Sequence, residues 1–256
     1  MKSSLLLIAV GLFFVSCTKE QSLEFSNISY EKTSELDQGQ WQAKVQIDIP
    51  LAISENAVSD SINTSLYTFI ESVVYLGEDK APFSSYEEMA TSFITTYEGL
   101  KKEFPEEVGW EANVKAKITF QTENLLNIKV EYYMFTGGAH GYFGVKSLLF
   151  DIHTGKSLSQ QDLFSDIEQL KILAEQKFRK DFHIAEGHPI NSTGFMFEGD
   201  MFHLPENIFF TDEGLLFHYN VYEISSYADG YQSFVIGYDH ADLFLKKEYQ
   251  PIFKNL

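Results

Sequence analysis

The amino-acid sequence predicts an α+β protein of two similar-sized halves, each an antiparallel sheet with helices, packed together. Three observations carry this. Apolar residues alternate with polar ones over several short segments, the period of half-buried strands. Elsewhere they recur at the spacing of an amphipathic helix. The two patterns come in runs, without strict strand–helix–strand alternation, which favours antiparallel sheets over a parallel α/β fold. At 256 residues the chain can bury one large core or two smaller ones. A boundary near residues 142–156 gives a first half over 23–145 and a second over 146–256.

Residues 23–30 form a first strand. Trp41, Ala43, Val45, Ile47 and Ile49 alternate with Gln42, Lys44, Gln46 and Asp48, the pattern of a strand with one wet face, which Pro50 is expected to end. A helix follows over 54–75, with Val58, Ile62, Leu66, Phe69, Ile70 and Val73 on one stripe. After Pro82, Ser84 and Glu87 are spaced as a capping box for a second helix. Met89, Phe93, Tyr97, Leu100 and Phe104 mark its buried side, and Pro105 stops it.

The period then becomes two. Trp110, Ala112, Val114, Ala116, Ile118 and Phe120 line one strand face. Beyond a turn at Glu123 and Asn124, Leu126, Ile128, Val130, Tyr132 and Met134 line another, giving a long antiparallel hairpin. A glycine loop over 136–141 leads into a strand over 142–150. A third helix over 166–183 carries Leu170, Ala174, Phe178 and Phe182 inward, with Glu175 and Arg179 at pairing distance on its surface. Residues 184–206 lack a period. Strands resume at 208–210, 215–219 and 233–238, and a helical turn over 241–245 follows.

The start of the chain has the layout of a secretory signal: Lys2, an unbroken apolar run over 5–15, then Ser16 and Cys17. The run is too short to span a bilayer, which needs about 20 residues. Cys17 is the only cysteine, and Phe14-Val15-Ser16 before it resembles a lipobox with Phe14 in the usual leucine position. Residues 1–16 are therefore expected to be a signal peptide, Cys17 the lipidation site and 17–22 a tether. The alternative is an ordinary signal followed by a buried free cysteine. Each buried acyl CH₂ contributes about 0.8 kcal/mol, so the expected membrane contact is through the anchor alone. Thr18 is not the aspartate that commonly retains lipoproteins at the inner membrane, which favours the outer one. With Cys17 spent, the body has no thiol for disulfides, nucleophilic catalysis or metal ligation.

A formal net charge of −18 repels phosphate backbones and excludes nucleic acid as a partner. It attracts a basic partner over long range, or serves solubility alone. Aromatic residues make up 15% of the chain. They stack on sugars in some proteins and more often form the inward faces of strands.

Two stretches stand out. In 136–141, Gly137, Gly138 and Gly141 leave the backbone bare around His140. The functional reading is a recognition loop with His140 as its polar contact; the plainer reading is a tight crossover where only glycine fits. In 222–230, Tyr222 and Tyr227 flank a short polar loop, either as exposed anchors for a partner or as buried pins of the loop. Gly137, Gly138, His140, Tyr222 and Tyr227 are thus the candidate ligand-binding residues. The seven histidines form no His-Glu-x-x-His or other ligand motif, so no metal or cofactor is expected. No nucleophile elbow or phosphate loop is present, and no residue is assigned a catalytic role.

These motifs carry a resemblance that covers nearly all of the chain beyond residue 22. The glycine loop, then Phe150-Asp151, Thr154-Gly155-Lys156 and Asp162-Leu163-Phe164, then 222–230 with Phe234-Val235-Ile236-Gly237-Tyr238, resemble the extracellular region of the RsiV anti-sigma-factor family. The first half of that region is shared with the accessory domain of the peptidoglycan deacetylase PdaC. Gly237 stands where the family usually has proline. The resemblance implies two fused domains of largely unknown function at the cell envelope, and in RsiV a region that binds lysozyme, a strongly basic protein. Sigma-factor control and deacetylation are not expected to carry over, because the segments that perform them have no counterpart here. The expected role is an envelope lipoprotein that binds a protein or cell-wall ligand, such as a lysozyme-like muramidase or peptidoglycan. The alternative is an enzyme, or an enzyme accessory, acting on peptidoglycan.

Overall fold

A computed structural model describes residues 23–36, 42–77 and 84–251. The expected signal segment, Cys17, the tether, Trp41 and Pro82 lie outside the described residues.

The first half is a five-stranded sheet with strands in sequence order, β1 (Phe25–Thr33), β2 (Lys44–Ala52), β3 (Glu111–Gln121), β4 (Leu125–Phe135) and β5 (Tyr142–Asp151). All neighbours are antiparallel except β2 and β3, which run parallel. Parallel strands need a long crossover. Two helices supply it, α1 (Ala57–Val74) and α2 (Tyr86–Glu103). They cover one sheet face, where Val45, Ile47, Val114, Ile128 and Val130 meet Ile62, Leu66, Ile70, Phe93 and Tyr97. The opposite face of β3 and β4 carries Lys115, Lys117 and Lys129.

Two local expectations need correction. Pro50 does not end β2, which continues to Ala52. Pairing with β3 stops at Asp48. The N–H of Ala52, two residues after Pro50 and on the same side, is taken by Asn63 Oδ1 at 2.9 Å and not by β1. Proline's missing donor therefore falls where the sheet has no neighbour to lose. The cap of α2 lies one residue later than the Ser84/Glu87 spacing suggests. Ser85 is the N-cap and accepts from the Glu88 N–H, while the Glu88 carboxylate accepts from the Ser84 N–H at 2.9 Å.

The second half is a three-stranded antiparallel sheet, β6 (Asn207–Phe210), β7 (Leu215–Tyr219) and β8 (Gln232–Ile236), with helices α3 (Gln160–Leu163), α4 (Ile167–Asp181) and α5 (Tyr238–Ala241). The short α3, absent from the periodicity reading, is fixed by a capping box between Ser159 and Asp162. Phe178 of α4 is fully buried. Six aromatic rings surround it at centroid distances from 4.4 Å (Phe182) to 6.1 Å (Tyr219). The expected division after residue 145 falls inside β5, which pairs with β4 along its length, so the first sheet extends to Asp151.

The halves are joined along the outer edge of β5, and asparagine amides do much of the joining. Asn220 Oδ1 accepts from the Val145 N–H at 2.8 Å, and its Nδ2 donates to the Val145 carbonyl at 2.9 Å. Asn207 Oδ1 accepts from the Ser147 N–H at 2.9 Å, and Ser147 Oγ donates to the Ile208 carbonyl at 2.7 Å. Asn127 of β4 accepts from the Phe210 N–H at 3.0 Å. Further along, the Leu158 N–H donates to the Leu149 carbonyl at 2.8 Å. A buried strand edge needs every N–H and C=O matched, and here carboxamides take the place of a sixth strand.

Candidate functional site

The glycine loop closes the β4–β5 hairpin. Gly137 and Gly138 have φ of +95° and +87°, a region that L side chains seldom adopt. Gly141 is constrained differently, because a Cβ there would lie 2.5 Å from the Tyr133 ring. These constraints turn His140 outward, and it is exposed.

The second stretch meets it from the other half. The Tyr222 N–H donates to the Ser225 carbonyl at 3.1 Å, closing a turn in which Tyr222 itself has φ of +68°. For a tyrosine this is an uncommon conformation that costs on the order of 1–3 kcal/mol and persists only when its surroundings impose it. A short 3₁₀ turn follows, capped by Ser226, and presents Tyr227.

The three rings converge. His140 stacks on Tyr227 with centroids 4.1 Å apart and planes 18° apart. Tyr222 and Tyr227 lie 5.7 Å apart. His140 Nδ1 is 2.9 Å from the Gly141 carbonyl, which can only accept, so Nδ1 carries the proton. Nε2 is left as an acceptor, with the Tyr222 hydroxyl donating at 3.5 Å, a long contact. Tyr222 is 55% exposed, while Tyr227 is half-buried against the His140 ring. Phe143 and Tyr231 are also exposed nearby in sequence.

All five candidate residues thus belong to two loops that meet, with Gly137 and Gly138 shaping one of them. His140 is oriented by a backbone carbonyl, and neither of its hydrogen bonds involves a carboxylate or an aliphatic hydroxyl.

Two ionisable groups in the same elements were given no role by the sequence. Glu223 is half-buried, and burial raises its carboxyl above the ordinary range; the nearby Glu206 adds to this, while hydrogen bonds from Asn220 oppose it. Asn220 links Glu223 to Val145 across the joint. Tyr132, in β4 opposite Gly144 of β5, has its hydroxyl pushed up mainly by burial, with Tyr142 adding to it.

The family model described as deacetylase PdaC matches residues 19–142, and the model described as a protein of unknown function (DUF3298) matches residues 161–239. The chain has the two-domain PdaC/DUF3298-like architecture. His140 falls in the PdaC-like part and both tyrosines in the DUF3298-like part, so the ring cluster spans the two. A crystal structure of a DUF3298 family member from Bacteroides fragilis is similar, with 24% identity, a TM-score of 0.68, and coverage of 89% of this chain and 95% of that one. A DUF3298 family protein from Pseudomonas aeruginosa matches with 20% identity and a TM-score of 0.62 over 91% of this chain and 99% of that one. At these identities the likeness establishes the fold. The search of curated proteins gave no match. Among the described residues no helix is long and apolar enough to cross a membrane.

Proposed function

We propose that this chain is an envelope lipoprotein, anchored through Cys17, that binds a protein or cell-wall ligand at the His140–Tyr222–Tyr227 cluster. The observation that carries the reading is the convergence of three exposed or half-exposed rings from two halves of the chain, one of them held in a costly backbone conformation. Tyrosine anchors of this kind dominate binding energy at interfaces, and their faces also stack on sugars. The PdaC and DUF3298 matches support an envelope-associated module. The net charge of −18 favours a basic ligand, and a lysozyme-like muramidase is the proposed partner.

Capture on immobilised lysozyme tests the proposal. Retention should be strong at low salt and weaker at moderate salt, because the Debye length shrinks to about 10 Å at 0.1 M. Combined Tyr222→Ala and Tyr227→Ala should weaken retention at least tenfold, roughly one hot-spot contact. Absence of retention at either salt, or retention indifferent to both substitutions, overturns this version. Labelled palmitate tests the anchor separately: Cys17→Ser should abolish incorporation.

A further inference from the structure

An open cleft of ≈ 580 Å³ lies between β1, α1 and the start of α2. One wall follows from the spacing of α1. Ile62, Leu66 and Ile70 turn into the core, while Thr64, Tyr67, Thr68 and Glu71, at i, i+3, i+4 and i+7, line the cleft. Tyr30 of β1 and Tyr86, the first residue of α2, stand opposite them. The three tyrosine rings form one group. Tyr30 stacks on Tyr86 with centroids 5.5 Å apart and planes 29° apart. Tyr67 meets Tyr86 at 5.1 Å with planes 64° apart, so two of the walls make a corner. Tyr86 is 6% exposed and forms the floor, and Tyr30 and Tyr67 are half-buried above it.

The charge at this cleft has one sign. Glu71 is the charged residue among those lining it, and among the described residues no lysine or arginine pairs with it. Glu88 lies close by, its carboxylate accepting from the N–H of Ser84, another lining residue, at 2.9 Å. The field of both carboxylates reaches Tyr67: burial raises its hydroxyl above the ordinary range, and the charges of Glu71 and Glu88 add to this. The polar groups deeper in are engaged. Asn63 spends its carboxamide on Ala52, accepting from the N–H and donating to the carbonyl, both at 2.9 Å. Ser85 Oγ accepts from the Glu88 N–H at 3.2 Å.

We infer that this cleft binds a small quaternary ammonium compound, its alkylated nitrogen against the Tyr30, Tyr67 and Tyr86 rings and its charge balanced by Glu71. The negative face of an aromatic ring attracts a cation, which is worth roughly 2- to 30-fold in affinity as the site becomes drier. A primary ammonium brings three N–H donors that each need an acceptor on leaving water. A cleft whose carboxamide and capping serine are already engaged supplies few, and a quaternary nitrogen asks for none. The volume exceeds that of one alkylated nitrogen and suits a whole small molecule, since ligand pockets span about 300–1,000 Å³. The site shares none of its lining residues with the ring cluster at His140, so it stands or falls independently of the proposed function.

The test uses choline, its uncharged isostere neohexyl alcohol, in which carbon replaces the nitrogen, and the primary amine ethanolamine. Each is titrated into the full ¹⁵N-labelled chain at constant ionic strength, and the amides of Thr64, Thr68 and Glu71 are followed. Choline should move them saturably, and the other two should each bind roughly tenfold more weakly. Glu71→Gln keeps the shape and removes the charge, so it should weaken choline and leave neohexyl alcohol unchanged. Tyr67→Leu keeps an apolar wall without a ring and should likewise narrow the preference for choline. Should the leucine variant fail to fold, Glu71→Gln decides alone. Absence of a saturable shift overturns the proposal, as does equal affinity for choline and either other probe, or a preference for choline that either substitution leaves intact. Phosphatidylcholine vesicles separate a dissolved ligand from a lipid headgroup. The chain with Cys17→Ser should not sediment with them, and sedimentation that choline competes away overturns the dissolved form.

Discussion

Replacing Asn220 by alanine should loosen the joint between the halves and be felt first at Val145. The carboxamide meets both main-chain groups of that residue, at 2.8 Å and 2.9 Å. Its removal strands one buried N–H and one buried C=O, each costing about 1–3 kcal/mol. The sum is about 2–6 kcal/mol, and partial entry of water places the expected loss near 3 kcal/mol. Amide exchange reads it locally: at 1.4 kcal/mol per tenfold, Val145 should lose about 100-fold of its protection. Urea unfolding should show a comparable global loss, with the two halves beginning to melt separately. Asn220→Asp sharpens the test. A carboxylate still accepts from the Val145 N–H but faces the Val145 carbonyl without a proton to donate. The variant should be at least as unstable as alanine near neutrality and should recover as pH falls, because the protonated acid restores a donor. A loss below about 1 kcal/mol for alanine, with Val145 exchange unchanged, would refute the view that this amide holds the halves together.

Phe178→Ala removes the hub of a seven-ring cluster and should cost about 3–5 kcal/mol in denaturant unfolding, without changing capture by the surface loops. His218 gives the protein an acid sensitivity of defined sign. The unfolded imidazole takes a proton below about pH 6.5, whereas the buried one resists until about 4, so stability should decline as pH falls through that window, by up to about 3 kcal/mol. His218→Phe should flatten that part of the pH–stability curve. Tyr222→Gly relieves the residue at φ +68°, so the melting temperature should hold or rise, by at most about 1 kcal/mol of stability, while ligand retention falls.

Strand positions in the first half were legible because one sheet face is wet, so Val45, Ile47, Val114 and Ile128 recur at period two. The 136–141 and 222–230 loops were legible as unusual composition, and the resemblance foresaw two fused domains. Their meeting was not legible. His140 and Tyr222 are 82 positions apart, and nothing local to either reports the other. The parallel β2–β3 pair was hidden for a related reason, since alternation specifies a face and not a neighbour. Asn127, Asn207 and Asn220 read as ordinary polar residues, because an asparagine's sequence context does not reveal which backbone it will meet. The second sheet did leave a signal that went unused. Asn207-Ile208-Phe209-Phe210 does not alternate, and all four are buried, as in a strand covered on both faces.

The two borders of the five-stranded sheet are chemically unlike. Along β5 the carboxamides occupy main-chain positions that an intruding strand would need, so growth by strand addition is closed on that side. At the other border β1 pairs, among the described residues, with β2 alone. That border is the one of the five-stranded sheet at which a further strand could add, and exposed Glu31 and Lys32 there present the charges that commonly discourage such recruitment.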